Sequence, residues 1–148
     1  MTGSVTVRSA TAADAEALAP LLGELGYPAD VAAVSSRLAR MLGRDDQRVL
    51  IAEDDTGALG ALALHFFPML EYEHDAALIT ALVITERSRG GGVGRNLVER
   101  AEELARAANA RRFVVMTHNR RAGAHAFYER LGFEWTGRRY VRELVEDR

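Results

Sequence analysis

The feature that most constrains the fold of this chain is a glycine-rich turn between an apolar segment and an amphipathic one. Residues 77–84 are apolar at seven of eight positions and too few for a typical helix, which predicts a buried strand. From Leu97 onward, apolar side chains recur at helical spacing with charged residues opposite, which predicts a helix with one apolar face. A strand, a glycine turn and a helix in this order direct the free N–H groups of the first helical turn at an anion. The turn is therefore predicted to bind a phosphorylated ligand.

Two common phosphate-binding loops do not fit this turn. A nucleotide-hydrolase loop ends in Gly-Lys-Ser/Thr, whereas this turn ends in Gly94-Arg95-Asn96 and the chain contains no lysine. A dinucleotide-binding turn needs a glycine at the position of Leu97 and an acidic residue about 20 residues later, where the chain has arginine and apolar residues. A glycine-rich turn that binds no ligand remains the alternative interpretation at this point.

Three segments of the chain resemble the GNAT superfamily of N-acetyltransferases. Residues 89–94, RGGGVG, are similar to its coenzyme A loop, Arg/Gln-x-x-Gly-x-Gly/Ala. Residues 124–133, AHAFYERLGF, resemble its second signature, and residues 8–14 resemble its opening strand and helix. The resemblance spans nearly the whole chain in the correct order. It implies one domain over residues 1–148 with an α/β fold, a central mixed sheet with splayed parallel strands flanked by helices.

The remaining elements are predicted from periodicity. Strands are expected at residues 4–8, 48–53, 59–67 and 112–117, and helices at residues 14–26, 31–42 and 122–131. Residues 133–136 and 139–144 are expected to form a terminal antiparallel pair.

The resemblance implies that acetyl-CoA is the co-substrate and that its pantetheine arm lies between the splayed strands. Main-chain groups of Leu82, Val83 and Ile84 would pair with this arm, and one amide there would polarise the thioester carbonyl. Many family members also contact pantetheine through an asparagine, where this chain has Arg121, and Asn119 is the candidate replacement. The predicted cofactor-binding residues of the loop are Arg89, Gly90, Gly91, Gly92, Val93, Gly94 and Arg95.

Tyr128 is the candidate general acid. Its spacing from Ala124 and Leu131 places it on the inward face of a helix. On position alone, a structural tyrosine with a hydrogen-bonded hydroxyl is the simpler interpretation. The matching tyrosine of the family protonates the departing thiolate, and a phenol suits this role because a thiol has a comparable pKa.

The general base of the family is missing from its usual place. Many members carry a glutamate on the strand before the loop, where this chain has Thr80 and Ala81. Glu73 and His74, just upstream, are the candidates for accepting a proton, although a polar loop facing solvent explains them equally well. His65 lies in an apolar strand and is more typical of a hydrogen-bonded core histidine. No histidine pair has metal-ligand spacing, so no metal is predicted.

Charge is divided sharply between the two halves of the chain. Residues 1–86 hold five arginines and thirteen acidic residues, whereas residues 87–148 hold fourteen arginines and eight acidic residues. The basic half suits a polyanionic cofactor and the acidic half suits a protonated amine, such as an aminoglycoside-like or polyamine-like acceptor, although part of this charge is solvated surface. The chain has no cysteine, so an acetyl-cysteine intermediate is excluded and direct attack of the amine on the thioester is expected.

These observations predict an enzyme that acetylates a primary amine of a small molecule. Transfer to a protein or peptide amine and a non-catalytic acyl-CoA-binding module are the alternatives. No apolar run is long enough for a bilayer, no signal peptide is visible, and the basic half lacks aromatic platforms for nucleic acid. A cytoplasmic protein without membrane or nucleic-acid partners is therefore expected, and a homodimer stays open.

Overall fold

The computed structural model describes residues 4–116, 122–137 and 139–144. The described residues up to Met116 form one compact unit and those from Ala122 onward form a second. One domain over residues 1–148 stays a prediction. The elements of the first unit are β1 (Thr6–Ser9), α1 (Ala15–Leu25), α2 (Val31–Leu42), β2 (Gln47–Asp54), β3 (Gly57–Phe67), β4 (Asp75–Ile84), α3 (Val93–Ala107) and β5 (Ala110–Val115), with single 3-10 turns at Ala12–Asp14 and Glu86–Ser88.

The five strands form one mixed sheet in the order β1-β2-β3-β4-β5. Neighbours from β1 to β4 are antiparallel, and β4 and β5 are parallel because α3 crosses between them. The β2–β3 hairpin turns where Asp54 Oδ1 accepts the Thr56 N–H at 2.8 Å and Gly57 takes φ 122°. The predicted mixed sheet and parallel crossover are confirmed.

The two faces of the sheet are covered by different helices. Alternating residues of β2 and β3 point from one face of the sheet towards α1 and α2. This face and the two helices share a core that contains Leu18, Leu21, Val34, Leu38, Val49, Ile51, Ala61 and Val83. The other face packs against α3, with Leu50, Leu62, Leu64 and Leu97 at most 1 % exposed. Sealing of both faces fixes the register, since a slip of one residue would exchange buried and exposed side chains.

An arginine joins the first strand to two carboxylates. The Arg8 guanidinium donates two bonds of 2.9 Å to Asp14 and bonds of 2.8 and 3.1 Å to Glu53. Asp14 also accepts the Thr11 N–H at 2.7 Å, the side-chain half of the predicted capping box. The Arg8 hydrogen bonds lower the Asp14 pKa from 3.8 to about 2, although burial acts in the opposite direction. These contacts link β1, the start of α1 and β2.

The second unit contains α4 (Ala122–Arg130), which ends before Gly132 at φ 93°. The predicted strands at residues 133–136 and 139–144 are wrong, since no strand forms there in the described part of the chain. A strand needs hydrogen-bond partners for its backbone groups on a neighbouring strand. In this segment the Gly137 carbonyl instead accepts a hydrogen bond of 2.6 Å from the side chain of Trp135, through Nε1. Within the residues described, no helix has the length and apolar character needed to cross a membrane.

Candidate active site

The glycine turn brings the end of β4 to the start of α3 through a backbone that most residues do not adopt. Gly90 and Gly92 have φ 84° and 86°, and a Cβ added to either would meet no heavy atom within 4 Å. Glycine is thus suited to these positions by backbone conformation, not by crowding. The space beside the turn is open.

The first turn of α3 presents free backbone donors. Its hydrogen-bond ladder begins with the Asn96 N–H, which donates to the Gly92 carbonyl at 3.0 Å. The N–H groups of Val93, Gly94 and Arg95 come before this bond and have no acceptor within the helix. The helix dipole adds positive potential at the same end. The geometry fits an anionic group such as a pyrophosphate.

Two side chains hold the turn in place from either side. Arg89 Nε donates to the Ile84 carbonyl at 3.2 Å, which folds this motif residue back onto the end of β4. Glu24 Oε1, near the end of α1, accepts the Glu86 N–H at 3.0 Å. No local sequence signal pointed to Glu24, because this contact joins residues 62 positions apart. Arg95 is exposed, with Nε 3.9 Å from Glu99 Oε2.

Part of one edge of β4, the strand before the turn, is not paired with any described strand. β5 pairs with β4 only as far as Ile79, which lies opposite Val115. On its other side β4 remains paired with β3 up to Ile84, apart from a bulge at Thr80, which falls between the pairs Ala63–Ala81 and Leu64–Ile79. From Thr80 to Ile84, the β4 backbone groups on the side of β5 therefore have no partner among the described residues of β5 and can bind another molecule. Leu82, Val83 and Ile84, predicted to bind pantetheine, lie on this edge.

Tyr128 is buried in the second unit, with 9 % of its surface exposed. Its ring meets those of Phe127 and Phe133 edge-on, at centroid distances of 5.1 and 5.7 Å. Its carbonyl accepts the N–H groups of Leu131 and Phe133 as the helix ends. The predicted inward orientation agrees with this burial, whereas the role of the hydroxyl stays a prediction.

The predicted bases lie away from residues 80–84 of β4, the part that described residues of β5 do not pair. Glu73 is exposed and His74 half-buried, in the loop that precedes Asp75. His74 comes six residues before Thr80, about 20 Å along an extended strand. Asn119, the candidate pantetheine contact, lies outside the described residues. No cluster of metal-binding side chains is found in the part of the chain that the structure describes.

His65 lies nearer to the bulge and is hydrogen-bonded, as expected for a histidine in that strand. Its Nδ1 is 2.9 Å from Gln47 Nε2 and 3.1 Å from the Asp46 carbonyl oxygen, and its ring stacks on Phe67. It is not a sealed core residue, however, because 29 % of its side chain is exposed.

Comparison with known proteins agrees with this geometry. A model of the acetyltransferase (GNAT) family matches residues 16–133. The chain belongs to this family. It is an acetyl-CoA-dependent N-acyltransferase.

Individual relatives cover almost the whole chain. The aminoalkylphosphonate N-acetyltransferase of Salmonella typhimurium strain LT2 is 29 % identical over 139 residues, 93 % of this chain and 90 % of the relative. A structure described as a transcriptional regulator from Bacillus halodurans C-125 superposes with a TM-score of 0.88 at 24 % identity, over 95 % of this chain and 100 % of the other. An aminoglycoside N-acetyltransferase in complex with CoA superposes with a TM-score of 0.85 at 17 % identity, over 97 % of each chain. The two structures show a shared fold, and the predicted GNAT fold is confirmed.

Proposed function

We propose that this GNAT enzyme acetylates a primary amine of a small molecule by direct attack on acetyl-CoA in a ternary complex. The observation that supports this most is the edge of β4 from Thr80 to Ile84, which the described residues of β5 do not pair and which runs into the glycine turn and the first amides of α3. An extended pantetheine arm can add to such an edge as a strand does, while the pyrophosphate binds at the helix start.

The cofactor roles follow from these positions. The turn from Arg89 to Gly94 would bind the pyrophosphate through main-chain N–H groups, and Arg95 would add an exposed positive charge. Leu82, Val83 and Ile84 would pair with pantetheine through their backbone while their side chains pack in the sheet. A backbone amide near the bulge would stabilise the oxyanion as it forms on the thioester carbonyl. Asn119 is the candidate for a further pantetheine contact.

Proton transfers require one acid and one base. Tyr128 would protonate the departing thiolate, the role that the family resemblance gives it. Glu73 and His74 are the sequence candidates for accepting the ammonium proton. Their separation from Thr80 means that they would act through a chain of waters or on an extended acceptor, and their loop would also attract a cation.

The acceptor is proposed to be a small amine because the Salmonella typhimurium relative, 29 % identical to this chain, acts by its name on aminoalkylphosphonates. The acidic character of residues 1–86 favours acceptors that arrive as ammonium ions. Polyamines, aminoglycosides and aminoalkylphosphonates are therefore the classes to compare. Peptide amines are the alternative.

A free-thiol assay with acetyl-CoA tests the proposal. The purified protein is mixed with members of the three amine classes and with a peptide, and thiol release is matched to acetylated product by mass spectrometry. We expect product with at least one small amine at a rate well above that with the peptide. A rate with the peptide above that with every small amine would instead support a peptide amine as the acceptor.

A further inference from the structure

We propose that His65 accepts the ammonium proton of the acceptor through one water molecule, in place of the glutamate that Thr80 and Ala81 do not supply. This role rests on the proposed function.

The register of the sheet brings His65 close to the bulge. His65 lies opposite Leu78, and Ala63 lies opposite Ala81, the residue that follows the bulge at Thr80. Residues two apart on a strand share a face and are roughly 7 Å apart along it. The imidazole is therefore within about one water of the position where the family carries its base.

The face that carries His65 is open at this point. The core formed with α1 and α2 includes Ala61 and Val83 of this face, but further along the same face Ala63, His65 and Leu78 are only half-buried. On the opposite face, the adjacent Leu64 is sealed at 0 % exposure. An acceptor and water can thus approach the imidazole from the side of α1 and α2.

Asp46 and Gln47, just before and at the start of β2, contact the imidazole at the same ring nitrogen. The Asp46 carbonyl oxygen, 3.1 Å from Nδ1, can only accept, whereas the Gln47 Nε2 amide group, 2.9 Å from the same nitrogen, can only donate, so the two contacts favour opposite tautomers of the ring. The proposed base is the tautomer with its hydrogen on Nδ1, which donates to the Asp46 carbonyl oxygen and leaves the lone pair on Nε2; the Gln47 amide then turns its oxygen towards the ring. The Gln47 amide, 2.9 Å from Nδ1, and the stacked Phe67 ring restrict rotation. The Nδ1 bond persists when Nε2 takes a second proton.

A carboxylate lies close to the ring. Asp46 Oδ2 is 4.0 Å from His65 Nδ1, and the hydrogen-bonded ion pair with Arg44 lowers the Asp46 pKa, which favours the anionic form of this carboxyl group. On the β4 side, the residue opposite His65 is the apolar Leu78. Among the described residues, Asp46 is the carboxylate within ion-pair distance of this ring.

The transfer balances as follows. One N–H bond of the ammonium breaks as a water takes the proton, and the water passes another proton to Nε2 of His65. The free amine then attacks the thioester carbonyl carbon, the C–S bond breaks, and the thiolate receives a proton from Tyr128. The attacking nitrogen releases its second proton as the amide forms, and this proton returns through solvent to the Tyr128 phenolate. The proton on His65 returns to bulk solvent before the next turnover.

The pH dependence of kcat/KM tests this role, with the best amine from the thiol assay as substrate. Wild type should lose activity as pH falls, because a base that already carries a proton cannot accept another. His65→Gln should be roughly 10²-fold slower at neutral pH, and the deficit should shrink at high pH, where the amine loses its proton unaided. His125→Gln, the same change at a half-buried histidine of α4, is the matched control and should keep the wild-type profile.

Asp46→Asn gives a second measurement that spares the imidazole. Loss of the carboxylate removes a negative charge that lies 4.0 Å from the ring, so proton uptake by the ring should be slower and kcat/KM should fall several-fold. Melting temperature and acetyl-CoA affinity, measured on every variant, identify misfolding; if His65→Gln does not fold, an unchanged kcat/KM in Asp46→Asn overturns the proposal. A wild-type profile in a folded His65→Gln overturns it too, as does loss of the acidic limb in Glu73→Gln or His74→Gln instead. A wild type inert towards every amine would overturn the proposed function itself, and with it this role.

Discussion

Gly92 combines a backbone conformation that most residues do not adopt with a position at the start of α3. Its φ of 86° strains any residue with a Cβ, and its N–H lies beside the first amides of α3. We expect Gly92→Asp to abolish coenzyme A binding, because the carboxylate would occupy the space of the pyrophosphate and repel it. Isothermal titration calorimetry measures the affinity.

Gly57→Asp is the matched control for this change. Gly57 also has a positive φ, 122°, and open space around a Cβ, but it lies in the β2–β3 turn. Both variants should therefore lose similar stability, whereas Gly57→Asp should bind coenzyme A normally. Unchanged affinity in Gly92→Asp would show that the glycine turn does not bind the cofactor.

Tyr128 allows its ring and its hydroxyl to be tested separately. Tyr128→Phe keeps the edge-on contacts with Phe127 and Phe133 and removes only the oxygen. If the hydroxyl protonates the thiolate, kcat should fall roughly 10²-fold with little change in KM. Tyr140→Phe, at a tyrosine 87 % exposed, should be neutral. Full single-turnover activity of Tyr128→Phe would leave water as the proton source.

At the scale of elements, the fit between β3, β4 and α3 depends on one residue without a side chain. A Cβ on Gly60 would lie 2.7 Å from the Val83 carbonyl oxygen and 2.9 Å from Ile84 Cδ1, so β4 would have to move. We expect Gly60→Ala to lower the free energy of unfolding by about 1 to 3 kcal/mol, as overpacking of a core does. Urea titration followed by circular dichroism measures this.

Gly23→Ala, in α1, provides the opposite expectation. A Cβ at Gly23 meets no heavy atom within 4 Å, so this helical position should gain up to about 1 kcal/mol. If Gly60→Ala were equally stabilising, the close approach of β3 to β4 and α3 would not hold in solution.

The elements were more predictable than their pairing. Helical periodicity and Gly26, which takes φ 106° after α1, set the helix bounds to within about two residues. The bulges were not predictable, because they depend on neighbouring strands. Counting back from the β2–β3 turn without the bulge at Ala52 pairs Gln47 with Leu64, not with His65. The hydrogen bond that orients His65 was therefore hidden by a shift of one residue.

At the scale of the whole molecule, the links between distant segments were the least predictable. The capping partners Thr11 and Asp14 are three residues apart and were found from the sequence, whereas Glu53 lies 45 residues from Arg8. Such contacts are set by the packing of the sheet and leave no local pattern. The charge division between the two halves of the chain favours a polyanionic cofactor and a cationic acceptor but predicts no geometry, since charge alone does not specify a fold.

The Arg8 network gives a prediction about acid stability. The Asp14 pKa is about 2 in the folded chain against 3.8 ordinarily, so its contribution is fully present above the ordinary value and is lost as pH falls from about 4 towards 2. This contribution is about 2 kcal/mol. Asp14→Asn should melt at a lower temperature than wild type at pH 7, with the gap closing towards pH 2. Asp55→Asn, at an exposed turn, should follow wild type; a constant gap for Asp14→Asn would contradict the ion pair.

The acetyl group is proposed to pass directly from acetyl-CoA to the amine. A rapid-quench single-turnover experiment with radiolabelled acetyl-CoA tests this step. Excess enzyme is mixed with labelled acetyl-CoA, with and without the amine, and label is followed on coenzyme A, protein and product. Because the chain has no cysteine, we expect label to pass to the amine without ever appearing on the protein, and no thiol release without amine. Labelled protein that forms before the product, or a burst of thiol in the absence of amine, would contradict direct attack in a ternary complex.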